Sequence, residues 1–379
     1  MTALLVEAAE RWGTPLYVTD LDAAAARARA WSDALPGALV AYAVKANPDP
    51  ALLRRLASEG IGAEVVGPVE MALARRAGFP ADRIVVNGVG QTDEDLRAAL
   101  ATGALVNAES VGGLQVLLAS GDGRVGLRVN PRIDAATHPH LATGASSSKF
   151  GIALDELAGA MAAFGAVGRV PASIGAHIGS DVDDLEPFGV LAAMLARLAE
   201  EHGVEGIDLG GGFAGDPRAF ADAVRPHLPN TERVIVEPGR GIVAAAGWLV
   251  TRVVGVQSRG HLVADAGMTE LIRPMLYGAR HPVRLIAPGK RIPQRRWTLA
   301  GPICEAGDLL AQDLDLGAAA GEGALLAVEH AGAYGLAMAS NYNGRLRPAQ
   351  AVIEDGRVRL SRRRESLEDV IARDINPGT

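Results

Sequence analysis

The sequence predicts an α/β chain in two parts: a (β/α)8 barrel of the TIM type, then a mainly β domain. Three observations predict it. Over the first two-thirds of the 379 residues, eight short β-rich runs alternate with Ala- and Leu-rich helical runs. After about residue 247 the regular helices give way to strand-like runs bounded by Gly or Pro. The residues best suited to chemistry fall at the C-terminal ends of the eight runs, where barrel enzymes build their sites. A doubly wound open sheet is the rival, but it has no special reason to reach eight strands.

The elements follow in order. The N-terminal "TPLYVTDL" is strand-like and is expected to join the β domain. The barrel is therefore expected over residues 21–247, and the β domain, sandwich- or barrel-like, over 248–379 together with 1–20. The barrel strands are read at 39–45, 61–66, 83–88, 104–108, 124–130, 172–179, 206–210 and 233–237. In "DPALLRRLASEG" Asp49 can cap a helix and Gly60 can stop it; in "PVEMALARRAGFP" Gly78 and Pro80 are stop signals. A long gap, 131–171, opens with "PRIDAATHPHLATGASSSKFGI", a polar stretch expected to be a lid or binding loop. In the second part, "GWLVTRVVGVQ", "HLVADAG", "RWTLAG", "ALLAVEHAGAY" and "QAVIEDGRVRL" read as strands, and "RLSRRRES" as a solvated edge.

Composition narrows the function. Apolar residues make up 49% and charged ones 21%, as in a soluble globular protein. The net charge of −7 provides no basic footprint, so nucleic acid is not an expected partner. No apolar run reaches the roughly 18 residues of a membrane span, and the N-terminus lacks the pattern of a signal peptide. The one cysteine, Cys304, suits a reducing cytoplasm. Of 37 basic residues only Lys45, Lys149 and Lys290 are lysine. Lys45 ends the apolar run "AYAVK", an awkward place for an ammonium.

The residues at the strand ends suggest one chemistry. Lys45 ends the first run, "HIGS" (His177, Ser180) the sixth, "DLGGGF" (Gly210, Gly211, Gly212) the seventh and "EPGR" (Glu237, Gly239, Arg240) the eighth. Each alone has a plainer reading: a flexible turn, a structural histidine, a Glu-Pro-Gly bend. Together they converge on one rim. Glycine backbone N–H groups and a serine hydroxyl suit an anion. An imidazole suits a flat ring, and a carboxylate suits a protonated ring nitrogen. A lysine suits an aldehyde, with which it forms a Schiff base. Phosphate, flat ring, ring nitrogen and aldehyde describe pyridoxal phosphate.

The motifs "AYAVKAN", "SSKFGI", "HIGS", "DLGGGF" and "EPGR" closely resemble those of the fold-type III pyridoxal-phosphate decarboxylases, the alanine-racemase-like group. "DAGMTELIRPMLY", "GPICEAGD" and "GAYGLAMASNYNGRLRP" resemble the diaminopimelate-decarboxylase branch of it. The resemblance runs from residue 13 to 349. It implies pyridoxal 5'-phosphate on Lys45, with His177 stacked on the ring and Glu237 at the pyridine nitrogen. It implies Ser180, Gly211, Gly212, Gly239 and Arg240 around the phosphate, with Tyr334 near it. Arg240, Arg273 and Tyr277 match residues that hold a distal carboxylate of an amino-acid substrate. Cys304 matches a residue acting in protonation at Cα, and Glu305 a contact to the distal amino group. Both would come from the second subunit of a homodimer with shared sites. The implied reaction is decarboxylation of meso-2,6-diaminopimelate to L-lysine.

Three positions depart from the branch pattern: Asp181 where glutamine is usual, Ala306 where serine is usual, and Arg280 where an aromatic is usual. They motivate a second reading, a sibling decarboxylase of a carboxyl-rich or conjugated amino acid in siderophore or antibiotic assembly. A third reading is a pyridoxal-phosphate-binding regulatory protein without catalysis; retention of Lys45 and Cys304 argues against it.

Overall fold

The structure, a computed structural model, describes residues 1–133, 141, 143–144, 148–228 and 233–375. Its strands in chain order are β1 (Leu16–Asp20), β2 (Leu39–Ala43), β3 (Gly62–Val65), β4 (Ile84–Val86), β5 (Leu105–Ala108), β6 (Val125–Arg128), β7 (Ile174–Gly175), β8 (Gly206–Asp208) and β9 (Arg233–Val236). There follow β10 (Gly247–Gln257), β11 (His261–Ala264), β12 (Val283–Ala287), β13 (Trp297–Ala300), β14 (Leu309–Leu314), β15 (Leu325–Val328), β16 (Ala349–Glu354) and β17 (Arg357–Arg362). The chain divides into two compact units, one of residues 25–242 and one of residues 1–24 with 243–379.

In the first unit β2 to β9 close into a parallel eight-stranded barrel. Each strand is shorter than its sequence run, because the runs continue into loops beyond the ladder. The sixth run keeps only Ile174–Gly175 as strand, so His177 lies two residues past β7. Lys45 does not end a strand either: β2 stops at Ala43, and Val44–Ala46 form one 3₁₀ turn. Helices return the chain between strands. Asp49 caps Pro50–Ser58 by accepting from the N–H groups of Ala51 and Leu52, a device that contributes about 1 kcal/mol. Pro68–Ala77 ends at Gly78, whose φ of 103° lies in the left-handed region. Outside the barrel, Phe220 meets Trp31 and Phe188 edge-on, with ring centroids 5.2 and 5.1 Å apart.

Side chains two apart on a strand share a face, and the barrel interior is layered accordingly. Ala41, Val85, Leu105 and Ile235 form a buried apolar plug, with Leu39 and Ala172 packed against it. Two residues further along the same strands, or just past them, stand Asn87, Asn107 and Glu237, all buried and polar. The plug thus excludes water beneath a polar layer near the strands' C-terminal ends.

Of the long 131–171 segment, residues 134–140, 142 and 145–147 lie outside the described residues, so the expected lid "THPHLATGASSSKFGI" is described only in part. A single parallel bridge joins Val129 to Ile152, and Leu157–Ala166 is helical.

The second unit is built on a nine-stranded sheet with β1 between β10 (antiparallel) and β16 (parallel). The expected N-terminal strand is therefore a central one. Alternation sorts its residues into two cores: Tyr17 joins Leu249, Leu262 and Trp297 on one face, while Leu16 and Val18 join Val250, Ala351 and Ile353 on the other. The helix Thr2–Trp12 lays Leu5, Ala8 and Ala9 on that second face. "QAVIEDGRVRL" is two strands, β16 and β17, joined through Asp355 and Gly356, both at positive φ.

Candidate active site

The polar layer of the barrel is one connected network. Lys45 Nζ donates to both oxygens of Glu64, at 2.9 and 2.8 Å. The lysine side chain is 35% exposed and that of Glu64 fully buried. Asn87 Nδ2 donates to Glu64 Oε1 at 3.3 Å and to Glu237 Oε1 at 2.7 Å. Asn87 follows β4 and Glu237 follows β9, which are not neighbours in the barrel, so this bond crosses the interior. Asn87 Oδ1 accepts from Asn107 Nδ2 at 3.0 Å, and Asn107 Oδ1 accepts from the Ser173 hydroxyl at 3.1 Å. Arg128 Nη1 donates to Glu109 Oε1 at 2.9 Å, and its guanidinium lies 4.8 Å from the Phe150 ring centre.

Burial decides where protons sit here. Burial pushes the Glu237 carboxyl well above the ordinary range, and the charges of Asp208 and Glu64 add to this. Asp208, also buried, is pushed up to about 6 by burial, although its carboxyl accepts hydrogen bonds from the Gly210 N–H and from Glu237. The Glu237–Asp208 pair therefore shares a proton, which Glu237 carries. His177 moves the other way. Burial, then Arg128 and Lys45, drive its imidazole well below the ordinary value. Its Nδ1 accepts from the Gly179 N–H at 3.2 Å, which leaves the ring hydrogen on Nε2. The Thr143 hydroxyl, 3.0 Å from Nδ1, donates to the His177 carbonyl at 2.7 Å.

The three glycines are more than a flexible turn. A Cβ on Gly211 would lie 2.3 Å from the Glu237 carbonyl oxygen, and one on Gly212 only 2.0 Å from that of Gly179. Gly212 also has a φ of 112°. Only glycine allows the backbone after β8 to pass this close to the segments carrying His177 and Glu237. Ser180 lies in the adjoining loop, its N–H bonded to the Leu141 carbonyl. Gly239 is followed by the short helix Arg240–Val243, and Arg240 Nε stands 3.3 Å from Asp181 Oδ1. A lysine amine, a neutral imidazole, a protonated carboxyl and a glycine cradle therefore share one barrel mouth. That donor set fits pyridoxal phosphate.

The remaining expected residues lie in the second unit. Arg273, 3% exposed, has its guanidinium 5.5 Å from the Tyr277 ring centre and 6.0 Å from that of Tyr334. Cys304 and Glu305 are exposed, and Tyr342 donates its hydroxyl to Glu305 Oε1 at 2.6 Å. Asp308 holds the turn that carries them, accepting from the N–H groups of Met268 (2.6 Å) and Ile303 (2.7 Å). Ala306 and Arg280 are exposed.

Lys45, His177, the glycines and Glu237 are named by the sequence and lie together at the barrel mouth; Glu64, Asn87, Asn107, Arg128, Asp208 and Tyr342, which the structure sets beside expected site residues, are not. The first five did leave a signal. In "GAEV", "VVN", "LVN", "GLR" and "GID" a polar residue follows a small or apolar one by two positions, the period of a strand facing a filled interior.

The chain matches known proteins along nearly its whole length. The family model for the pyridoxal-dependent decarboxylase, pyridoxal binding domain, matches residues 21–244. Diaminopimelate decarboxylase from Deinococcus radiodurans is 39% identical over 98% of this chain and 98% of its own length. That from Pseudomonas aeruginosa is 40% identical over 96% of this chain and 93% of its own. The crystal structure of diaminopimelate decarboxylase from Helicobacter pylori complexed with L-lysine superposes with a TM-score of 0.92 at 32% identity, covering 97% of this chain and 98% of that one. With its closed barrel, its strand-rich second unit and the lysine–carboxylate network in the barrel mouth, the chain belongs to the pyridoxal-dependent decarboxylases, in the family of the diaminopimelate decarboxylases.

Proposed function

We propose that this enzyme converts meso-2,6-diaminopimelate to L-lysine and carbon dioxide, with pyridoxal phosphate held in the barrel mouth. The observation that carries the site assignment is the cross-barrel chain Lys45–Glu64–Asn87–Glu237. Pyridoxal phosphate, when bound, supplies an aldehyde that condenses with amines and a ring that takes up the electron pair left when the Cα–carboxylate bond breaks. The chain's own residues do the rest.

Glu64 fixes Lys45 Nζ and is placed to accept its proton, which leaves a neutral amine able to attack the aldehyde. Glu237, held by Asn87 and sharing a proton with Asp208, would face the pyridine nitrogen. His177, neutral, offers an uncharged face to the ring. Ser180, Gly211, Gly212, Gly239 and Arg240 would surround the phosphate, with Tyr334 near it. Arg240, Arg273 and Tyr277 would hold the distal carboxylate. Glu305, oriented by Tyr342, would take the distal amino group, and Cys304 would deliver the proton to Cα. These last two would act across a homodimer; their exposure supports that placement. A cytoplasmic location is supported by the single, free cysteine.

Asp181 has a specific consequence. Its carboxylate already pairs with Arg240, so a substrate carboxylate must compete for that guanidinium. The sibling reading, a carboxyl-rich substrate, loses support from this pair, and also because Arg280 is exposed whereas Arg273 is buried near two tyrosine rings.

Four outcomes are expected. Purified enzyme with pyridoxal phosphate releases one carbon dioxide and one lysine per meso-diaminopimelate; turnover of other amino acids but not this one would favour the sibling reading. Lys45→Ala abolishes both that turnover and the visible absorbance of the bound cofactor, and a persisting band would refute the assignment of Lys45. Sedimentation equilibrium returns twice the chain mass, whereas a monomer active at the same concentration would rule out shared sites. Asp181→Asn lowers KM for diaminopimelate by about two- to fivefold, the range of a half-exposed ion pair; an unchanged KM would show that Asp181 does not compete.

A pH measurement tests the proton-sharing pair. Asp208 is raised from 3.8 to about 6 in the folded chain. The folded state then binds more protons than the unfolded one across that window, so this group's contribution to stability declines as pH rises from about 4 to about 6. The full decline amounts to up to about 3 kcal/mol. In urea titrations of the apoenzyme at pH 4.5 and 7, Asp208→Asn is expected to remove most of this difference; an unaltered difference would show that Asp208 is not its source.

A further inference from the structure

The opposite end of the barrel holds a second cavity, of about 340 Å³, lined by residues at the N-terminal ends of the strands. Its chemistry-bearing members are Arg83 before β4, Arg124 before β6 and Arg233 at the start of β9, with Asp82 at the edge. Leu39, Ala172 and Ile235 line it on the side of the apolar plug. It is remote in the fold from Lys45, His177 and Glu237, which stand beyond the other ends of the strands.

Some of the chain's partly buried arginines meet carboxylates, as in Arg128–Glu109, Arg240–Asp181 and Arg284–Glu329, and others, such as Arg27 and Arg169, donate to backbone carbonyls. Among the described residues none of Arg83, Arg124 and Arg233 has a carboxylate within ion-pair distance. Arg124 donates only to the backbone carbonyl of Asp82, at 3.0 Å. The Nε of Arg83 is buried and has no hydrogen-bond partner. Burial and the charge of Arg233 both disfavour the charged form of Arg124, and Asp82 and Glu205 offset this only in part. Three arginines line one cavity, and the charges of Arg124 and Arg233 are close enough to act on each other; in a chain of net charge −7 an anion would relieve that repulsion. Each fork matches the geometry of a phosphate or carboxylate oxygen pair, and the volume suits a small ligand.

We propose that this cavity is a binding site for a small multivalent oxyanion, a phosphate ester or a polycarboxylate, distinct from the active site. Calorimetric titration of the holoenzyme at low ionic strength, with inorganic phosphate and separately with citrate, tests it; using holoenzyme keeps the cofactor's own phosphate site filled. One saturable site per chain is expected for at least one probe. Tighter phosphate binding assigns a phosphate ester, and tighter citrate binding a polycarboxylate. The double variant Arg124→Gln/Arg233→Gln weakens that binding about tenfold or more, and Arg124→Lys, which keeps the charge but not the fork, weakens it less. The bound anion raises the Tm of the parent enzyme but not that of the double variant. Should the double variant not fold, the exposed Arg233→Gln alone is read in the same way. No saturable binding of either anion up to about 10 mM, or equal binding by parent and variants, would overturn the proposal.

Discussion

A fully buried carboxylate beside an amine is the constraint on which the barrel mouth depends. Glu64 sits on β3 with no solvent contact and takes both oxygens to Lys45 Nζ. An isolated carboxylate there would be strongly disfavoured; the lysine makes it tolerable, and the carboxylate in turn aims the lysine. Asn87 then ties that pair to Glu237 through the two hydrogens of one amide. Asn87 is itself oriented by Asn107, and Asn107 by Ser173. A lysine after β2, a glutamate on β3, an asparagine after β4 and a glutamate after β9 are thereby held in one register.

The barrel makes this possible by stacking unlike layers. The plug of Ala41, Val85, Leu105 and Ile235 denies water to the underside of the network, and low local dielectric strengthens each bond above it. The same dryness keeps a proton on the Glu237–Asp208 pair and keeps His177 neutral. Two acids are raised and a base is lowered by one cause, the burial that the plug and barrel wall impose.

Much of this was legible in the sequence. Eight strand-like runs and the polar residues just past them were visible because strand ends punctuate apolar stretches. Asp49 and Gly78 marked helix ends by known local chemistry. Glu64 and Asp208 were not seen as functional because they lie inside short strands; assigning them a face needs the register, which only barrel closure supplies. The strands β12 and β14 were missed for local reasons. "VRLIA" is only partly buried, and "LLAQDL" reads as readily as a helix turn. The pair Asp181–Arg240 was out of reach because its members come from different βα loops. The arginine cavity was hidden for the same reason, its residues entering from separate turns.

The central place of β1 bears on how the molecule is made. Its neighbours β10 and β16 begin more than two hundred residues downstream. At a synthesis rate of roughly 5–20 residues per second, residues 16–20 emerge roughly 10–50 seconds before Val250 can pair with Leu16. During that interval the whole 25–242 unit is delivered and can close its barrel, whose ladders link strands mostly adjacent in sequence. Until then Leu16 and Val18 have only the neighbouring helix Thr2–Trp12 to pack against, and the edges of β1 remain unpaired.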